Sequence, residues 1–238
     1  MHTQLKSRFR KICDEYISYL WRLSKARSRA GLYEFLEGEC SRIAKDMKVL
    51  TVGAGGDVNK ILYKHASTNN FSVVSLDIDQ KRSPDILGDV CTEPLRSLHF
   101  DIVIFCEVLE HLRSPCQAID NIFMGLKPGG RLILSVPFGL PLHDRPNDFF
   151  RFTRYGLELV LTKFSDVSIM ERNSYFEAID VIWMRLLMEK TEKAAFLSYV
   201  VLPIVFHLKR PITLLLSKIA KPDGFTTGYV ATAVKRNA

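Results

Sequence analysis

The chain has 238 residues, 47% of them apolar and 25% charged, a composition that excludes collagen-like, wholly disordered and disulfide-scaffold proteins. Its net charge of +7 is concentrated at one end, because residues 1–30 carry eight Lys or Arg against two acidic residues. The five cysteines are scattered without CxxC spacing, which favours a reducing compartment and argues against a zinc site.

The first segment of the chain is predicted to be helical. Apolar residues recur at helical spacing through the first 23 residues, and the opposite face is basic. The acidic pair Asp14-Glu15 interrupts any apolar core of a secretory signal, so we expect a cytoplasmic protein. A second helix is predicted at about 33–44, and we expect a helical cap over residues 1–46.

Strands and helices alternate from residue 48 onward. Nearly continuous apolar runs predict strands at 48–52, 71–76, 100–105 and 132–136. Helices are predicted at 57–65, with Asp57 as the N-cap, and at 116–126, closed by Lys127-Pro128-Gly129-Gly130. A helix at about 155–162, a strand at 166–171, a helical insertion at 175–221 and a last strand at 226–234 complete a domain over 47–238. This alternation is typical of a parallel sheet covered on both faces.

A glycine-rich turn, Gly53-Ala54-Gly55-Gly56, joins the first of these strands to the helix after it. Such a turn lets a nucleotide-like ligand approach the backbone and the free N–H groups of the helix. The turn is an imperfect dinucleotide fingerprint, because Val58 stands where Gly or Ala is required. Asp77 closes the second strand 22 residues past Gly55, where a carboxylate accepts ribose hydroxyls. Gly88-Asp89-Val90 offers a third contact, because an Asp at the end of a strand at this point could accept from the exocyclic amine of an adenine.

Five sequence blocks in a fixed order carry a resemblance to a known family. They are VLTVGAGGD (49–57), VVSLDID (73–79), GDV (88–90), FDIVIFCEVLEHL (100–112) and LKPGGRLILSVP (126–137). Over about 90 residues, they resemble the class I S-adenosylmethionine-dependent methyltransferases of the branch that methylates small molecules. The resemblance implies a Rossmann-like α/β fold with a doubly wound, mostly parallel seven-stranded sheet, and S-adenosylmethionine as the cofactor.

The resemblance also implies which residues hold the cofactor. They are Gly53, Ala54, Gly55, Gly56, Asp77, Ile78, Asp89, Val90, Cys106 and Glu107. The glycine turn would pack on the methionine part, Asp77 would bind the ribose, and Asp89 and Val90 would contact the adenine. Cys106 and Glu107 would lie near the reacting methyl group. Thr51 and Asp57 depart from the family pattern, so a non-catalytic binding protein is an alternative.

A second block, HDRPNDFFRFT (143–153), follows the fifth strand of the pattern. It is similar to a segment of a methyltransferase subgroup associated with bacterial surface-polysaccharide synthesis. We expect His143 to act as a general base toward an acceptor hydroxyl, and Asp144, Asp148 and Arg151 to bind the substrate. The alternative is a structural loop in which Asp148 pairs with Arg151 while Phe149 and Phe152 pack into the core.

No metal site is predicted from the sequence. Glu107 and His111 are four residues apart, but no third ligand stands at usable spacing. We expect these two side chains to form a hydrogen bond that shapes the loop.

The expected activity is O-methylation of a sugar or another small hydroxylated acceptor, which could be lipid-linked. A DNA substrate is not expected, because CEVL (106–109) stands where N-methylating enzymes of DNA carry an N/D-P-P-aromatic motif. An RNA methyltransferase and an NAD-dependent oxidoreductase are further alternatives, the latter disfavoured by the LEHL block (109–112). The helical insertion predicts a lid, a homodimer surface, or a peripheral membrane contact through residues 194–210 together with 1–30.

Overall fold

The computed structural model describes residues 2–188, 202–220 and 224–236. The chain divides into two compact units. The helical unit comprises Met1–Gly31, Gly139–Pro141 and Arg172–Thr227, and the sheet unit comprises Leu32–Phe138, Leu142–Glu171 and Gly228–Ala238. The domain limits expected from the sequence, 1–46 and 47–238, stay a prediction.

The sheet unit contains seven strands. They are β1 (Lys48–Val52), β2 (Ser72–Asp77), β3 (Ile86–Leu87), β4 (Phe100–Cys106), β5 (Leu126–Pro137), β6 (Ser165–Glu171) and β7 (Gly228–Val234). Their order is β3-β2-β1-β4-β5-β7-β6, and β7 runs antiparallel to both of its neighbours. The predicted Rossmann-like, mostly parallel sheet is confirmed. The strand order reverses between β1 and β4, which is where sheets of this class bind ligands.

Side chains of alternate residues enter two apolar layers, one on each face of the sheet. Val103 and Phe105 of β4 belong to one buried cluster, whereas Ile102 and Ile104 belong to the other. Because successive side chains of a strand point to opposite faces, a strand covered on both faces must be apolar throughout. This is why β4 is a continuous apolar run in the sequence.

Six α-helices lie in the described parts of the chain. They are α1 (His2–Ser41), α2 (Gly56–Asn69), α3 (Pro115–Gly125), α4 (Arg154–Val160), α5 (Tyr175–Met188) and α6 (Leu202–Ile219). The prediction of two N-terminal helices is wrong, since α1 is continuous through Gly31. A Cβ at Gly31 would lie 1.8 Å from the carbonyl oxygen of Arg172, so close packing requires glycine at this point of the helix.

Two further local predictions are corrected. Gly55, rather than Asp57, is the N-cap of α2, and Asp57 lies in the first helical turn. The segment 127–130, expected to close the helix before a strand at 132–136, belongs to β5, which begins at Leu126. There it is tied to the C-terminal segment by bonds between Gly129 N and Lys235 O and between Lys235 N and Gly130 O.

The helical unit has its own small core and a buried ionic cluster. Leu20 of α1 packs with Val181 and Met184 of α5. The carboxylate of Asp180, only 3% exposed, binds the ammonium of Lys209 and lies 3.7 Å from the Arg27 guanidinium. None of the described helices has the length and apolarity required to cross a membrane. Part of the segment 194–210, for which a membrane contact was predicted, lies outside the described residues.

Candidate active site

The glycine turn after β1 leaves the start of α2 open to a ligand. Gly53 has φ 93° and Gly55 has φ 145°, conformations that residues with a Cβ rarely adopt. Gly55 caps α2 without any side-chain hydrogen bond. The first turn of a helix has N–H groups with no partner inside the helix, so this end of α2 suits a polar or anionic part of a ligand.

Thr51, one of the two departures from the family pattern, holds this turn in place. Its hydroxyl donates to Asn59 Oδ1 at 2.7 Å, and Asn59 Nδ2 donates to the Gly53 carbonyl at 2.7 Å. Both side chains are buried. Thr51 therefore connects β1 through α2 to the glycine turn. Asp57, the second departure, accepts a hydrogen bond from Tyr33 of α1 at 3.1 Å.

Asp77 at the end of β2 lies directly against the glycine turn. Its Oδ2 accepts from Ala54 N at 2.7 Å and its Oδ1 from Asp79 N at 2.8 Å. The Arg82 guanidinium lies 3.5 Å from Oδ2. The structure thus brings together two elements that are separate in the sequence and predicted to share one ligand.

Two further predicted contacts of the cofactor follow β2 and β3. Ile78 is 73% exposed, which leaves its side chain available to cover an aromatic ring. Asp89 is half-buried, and its Oδ1 accepts from Cys91 N at 2.9 Å. Val90 is 3% exposed and belongs to the buried cluster beneath the sheet edge. Its contact with an adenine stays a prediction.

Cys106 and Glu107 lie where β4 leaves the sheet. Cys106 is buried, and Glu107 has φ 57°, an uncommon conformation for a residue other than glycine. Glu107 N donates to Ser135 O at 3.0 Å, and its carboxylate accepts from the Ser135 hydroxyl at 3.2 Å. These bonds to β5 hold the acidic side chain at the carboxyl edge of the sheet.

The residues present fit a nucleoside cofactor with a charged, flexible tail. A glycine turn at a helix N-terminus, a carboxylate at the end of β2 and an exposed apolar residue beside it occupy neighbouring positions of one sheet edge. These are the groups needed for close backbone approach, for hydroxyl recognition and for covering a ring. The individual contacts to the cofactor remain predictions.

The loop after β5 is organised around a buried carboxylate. The side chain of Asp148 is 2% exposed and accepts two hydrogen bonds from Arg151, at 2.5 and 2.6 Å. It also accepts from His143 N at 2.9 Å and lies 3.2 Å from His143 Nδ1. Because Asp148 is buried and bonded inside the loop, the geometry favours the structural interpretation of the Asp148–Arg151 pair. Asp144 remains exposed and available to a substrate.

The same contacts shift the pKa values of Asp148 and His143. Burial alone would raise the pKa of Asp148, but Arg151 and the His143 amide and ring outweigh it and lower this pKa to about 2. Burial lowers the pKa of His143 and is only partly opposed by the Asp148 charge. At neutral pH the loop therefore contains an ionised Asp148 next to a neutral imidazole.

A cluster of three side chains, Glu110, His111 and His143, is a feature that sequence spacing missed. One potential ligand atom from each lies within 4.8 Å of the other two. Sequence spacing placed no third side chain beside Glu107 and His111, whereas the structure brings His143 to His111 from the loop after β5. His111 bonds through Nδ1 to Asn147 O at 2.7 Å rather than to Glu107. The adjacency of β4 and β5 was the available signal, since the carboxyl ends of parallel neighbours meet at one edge.

Comparison with known proteins gives matches at the level of a family and of a fold. A family model described as a methyltransferase domain matches residues 9–189, about three quarters of the chain. A solved S-adenosylmethionine-dependent methyltransferase from Archaeoglobus fulgidus has a TM-score of 0.54 and 16% identity, covering 91% of this chain and 99% of that one. At such identity the likeness shows the fold alone.

Two curated relatives carry names from quinone biosynthesis. A ubiquinone biosynthesis O-methyltransferase of Psychrobacter arcticus is 30% identical over 128 residues, which are 48% of either chain. A ubiquinone/menaquinone biosynthesis C-methyltransferase of Psychromonas ingrahamii is 26% identical over 153 residues, 58% of this chain and 59% of that one. The chain thus spans about half the length of the curated relatives it matches.

Proposed function

The chain belongs to the methyltransferase-domain family, and on this premise we propose that it methylates the oxygen of a small hydroxylated, lipid-linked acceptor. S-adenosylmethionine is the family's cofactor, and when bound it supplies a methyl group on a positively charged sulfur. The alternative of a non-catalytic binding protein rested on Thr51 and Asp57. Both residues have structural roles around the glycine turn, so their identity is no sign of a degraded site.

The single observation that carries the proposal is the junction of the glycine turn with Asp77. The bond from Ala54 N to Asp77 joins the end of β1 to the end of β2, next to the reversal in strand order. A ligand that uses both elements is held at this point. Gly53, Gly55 and Gly56 would accept its tail, Asp77 its sugar hydroxyls, and Ile78 and Asp89 its base.

The acceptor side of the site is formed by the ends of β4 and β5. Methyl transfer needs the acceptor oxygen in line with the methyl group, and positioning supplies much of the acceleration. Glu107 is held there by Ser135. His143, oriented by Asp148, is the group that promotes loss of the acceptor hydroxyl proton, while Asp144 is open to contact the acceptor.

An acceptor linked to a lipid is supported by the surface of α6. Seven apolar residues form one stripe of this helix and are between 37% and 73% exposed. They are Ile204, Val205, Leu208, Ile212, Leu215, Leu216 and Ile219. The polar side chains of Lys209 and Thr213 turn the other way, toward Asp180. A contiguous exposed apolar surface of this kind marks a binding surface.

The distribution of charge favours a lipid bilayer as the binding partner of the apolar stripe on α6. The helical unit contains 16 basic and 7 acidic residues, a net charge of +9, whereas the sheet unit contains 17 basic and 19 acidic residues, a net of −2. Basic groups beside an apolar helix face favour anionic membrane surfaces. The relatives named for quinone biosynthesis are consistent with lipid-borne acceptors. A lipid-linked sugar would likewise require an enzyme that reaches the membrane surface.

Two measurements test the proposal. Isothermal titration of the full chain with S-adenosylmethionine should show one site, and no binding at about 1 mM ligand would overturn the cofactor site. Radiolabelled cofactor should then transfer its methyl group to a hydroxylated lipid in a panel of phenolic quinone precursors and lipid-linked sugars. Binding without transfer, both to the panel and to a membrane extract, would overturn the enzymatic proposal and favour the non-catalytic alternative.

A further inference from the structure

We infer that Glu110, His111 and His143 form a binding site for a divalent transition-metal cation at the carboxyl edge of the sheet. The Oε1 atom of Glu110 lies 3.6 Å from His111 Nε2 and 3.8 Å from His143 Nε2. Two ligands bound tetrahedrally at about 2.1 Å from one ion are about 3.4 Å apart. Small side-chain rotations therefore convert the observed cluster into a coordination shell.

Both imidazoles are held with Nε2 free to bind a metal. His111 Nδ1 lies 2.7 Å from the Asn147 carbonyl, an acceptor that fixes the proton on Nδ1. His143 Nδ1 lies 3.2 Å from the Asp148 carboxylate, an ionic contact whose negative charge favours a proton on Nδ1. A histidine ligand usually donates its second ring N–H to a carbonyl or a carboxylate, and this contact sets its tautomer and orientation. The two histidines have one outer partner of each kind.

The third ligand is fixed by the backbone. Glu110 is fully buried, and its carbonyl oxygen accepts from Phe149 N at 2.9 Å and from Phe150 N at 3.2 Å. These bonds tie the short helical turn Leu109–His111 to the loop that contains His143. All three ligands thus stand on segments that are bonded to one another, as a preorganised site requires.

The ligand set indicates the type of ion and its open position. Two imidazoles with one carboxylate suit zinc and similar transition metals better than magnesium or calcium, which prefer oxygen ligands only. Three protein ligands leave a fourth position for water or substrate, as in catalytic zinc sites. The Asp144 carboxylate, 78% exposed, lies 3.9 Å from His111 Nε2 on the accessible side.

A role for the ion in catalysis rests on the proposed methyltransferase function, whereas ion binding does not. A bound cation lowers the pKa of an oxygen ligand. An acceptor hydroxyl in the open position would release its proton to solvent and keep the electron pair that forms the new oxygen–carbon bond. The bond from the methyl carbon to the cofactor sulfur would break at the same time, its electron pair would stay on sulfur, and S-adenosylhomocysteine would leave. In this assignment His143 serves the acceptor through the cation, not as a free base.

Titration of the metal-free full chain with Co²⁺, followed by visible absorption and by calorimetry, tests the site directly. We expect one Co²⁺ per chain, displaced by Zn²⁺. Loss of an outer partner of a metal ligand costs about 10–100-fold in affinity. His111→Ala and Glu110→Gln, which remove direct ligands, should each weaken binding by about 100-fold or more. The matched control is His65→Ala, since His65 bonds to Glu37 outside the cluster, and it should bind Co²⁺ like the parent protein.

Two outcomes would overturn the site: no Co²⁺ bound by the parent chain, or unchanged affinity in both ligand variants with their folds verified by circular dichroism. S-adenosylmethionine binding, measured separately, keeps the two proposals distinguishable. Co²⁺ binding without methyl transfer would uphold the site while the proposed function fails. Full methyl transfer by chelator-treated, metal-free protein would remove the catalytic role of the cation and leave the proposed function standing.

Discussion

The backbone N–H of Ala54 donates to the Asp77 carboxylate at 2.7 Å. The bond joins the turn after β1 to the end of β2, so the carboxylate that we propose as the ribose ligand also shapes the glycine turn. A residue with two such functions is difficult to replace. In the proposed site its charge would bind the ligand, whereas its acceptor oxygen holds the turn, and substitutions can separate the two roles.

Asp77→Asn should weaken S-adenosylmethionine binding while preserving the fold. The amide oxygen can still accept from Ala54 N, but the charged acceptor for ligand hydroxyls is lost, and hydrogen bonds to a charged group contribute about 1.5–3 kcal/mol. Calorimetry should show at least a roughly tenfold loss of affinity. The control is Asp120→Asn on α3, whose carboxylate is half exposed and pairs with Lys163. Equal affinities in both variants would exclude Asp77 from the cofactor site.

Gly31→Ala should destabilise the protein although alanine favours helices. The new Cβ would lie 1.8 Å from the Arg172 carbonyl oxygen, and overpacking of this kind costs about 1–3 kcal/mol. The free energy of unfolding in urea measures the effect. Gly38→Ala in the same helix is the control, because nothing lies within 4 Å of its Cβ, and it should stabilise by about 0.5–1 kcal/mol. Similar effects from both variants would contradict the packing at Gly31.

Thr51→Val should lower stability through one buried hydrogen bond. The substitution keeps the shape of the side chain but leaves Asn59 Oδ1 without the hydroxyl that donates to it at 2.7 Å. A buried polar group that loses its partner costs about 1–3 kcal/mol. Urea unfolding would reveal the loss, and Thr51→Ser, which retains the hydroxyl, should recover part of it. A fully stable valine variant would show that this bond does not hold the glycine turn.

Leu208→Glu and Ile212→Glu should abolish binding to anionic liposomes. Both residues are highly exposed on the apolar stripe of α6, so the charges change the surface rather than the core. Co-sedimentation with vesicles containing phosphatidylserine measures binding. Leu159→Glu on α4 in the sheet unit is equally exposed and should leave it unchanged. The membrane proposal is wrong if the parent chain does not bind liposomes and light scattering shows a dimer that these substitutions dissociate. In that case a second copy of the chain covers the stripe.

Asp101 should contribute stability that is lost in acid. Burial alone would raise its pKa, but the Lys127 ammonium and the Lys48 N–H outweigh it and hold the pKa below the usual value. A depressed pKa contributes stability above the unfolded-state value of about 3.9, and this contribution disappears as pH falls through the folded-state pKa. Unfolding free energies of Asp101→Asn and the parent chain should therefore differ at pH 7 and converge at low pH. A constant difference would contradict this linkage.

The sequence determined the architecture because the signals for it are local. Continuous apolar runs, separated by helices, indicate strands covered on both faces, and β1 was placed to the residue. The glycine turn and Asp77 could be assigned to one ligand, since parallel strands of neighbouring βα units end at the same edge. The sequence did not show that α1 is one continuous helix. The carbonyl group that requires glycine at position 31 belongs to Arg172, which is far along the chain.

Only the tertiary structure decided which side chains meet on the proposed acceptor side. His111 and His143 are 32 residues apart and have no spacing rule in common, yet the pairing of β4 with β5 brings His143 to the adjacent residues Glu110 and His111. The fold also buries Asp148. The sequence suggested this residue as a substrate ligand, whereas in the structure it contacts Arg151 and His143. The net charge of +7 is likewise divided unevenly between the two units of the fold, with +9 in the helical unit and −2 in the sheet unit. Periodicity reports which faces are buried, but long-range contacts select the side chains that meet, and only three-dimensional packing specifies those contacts.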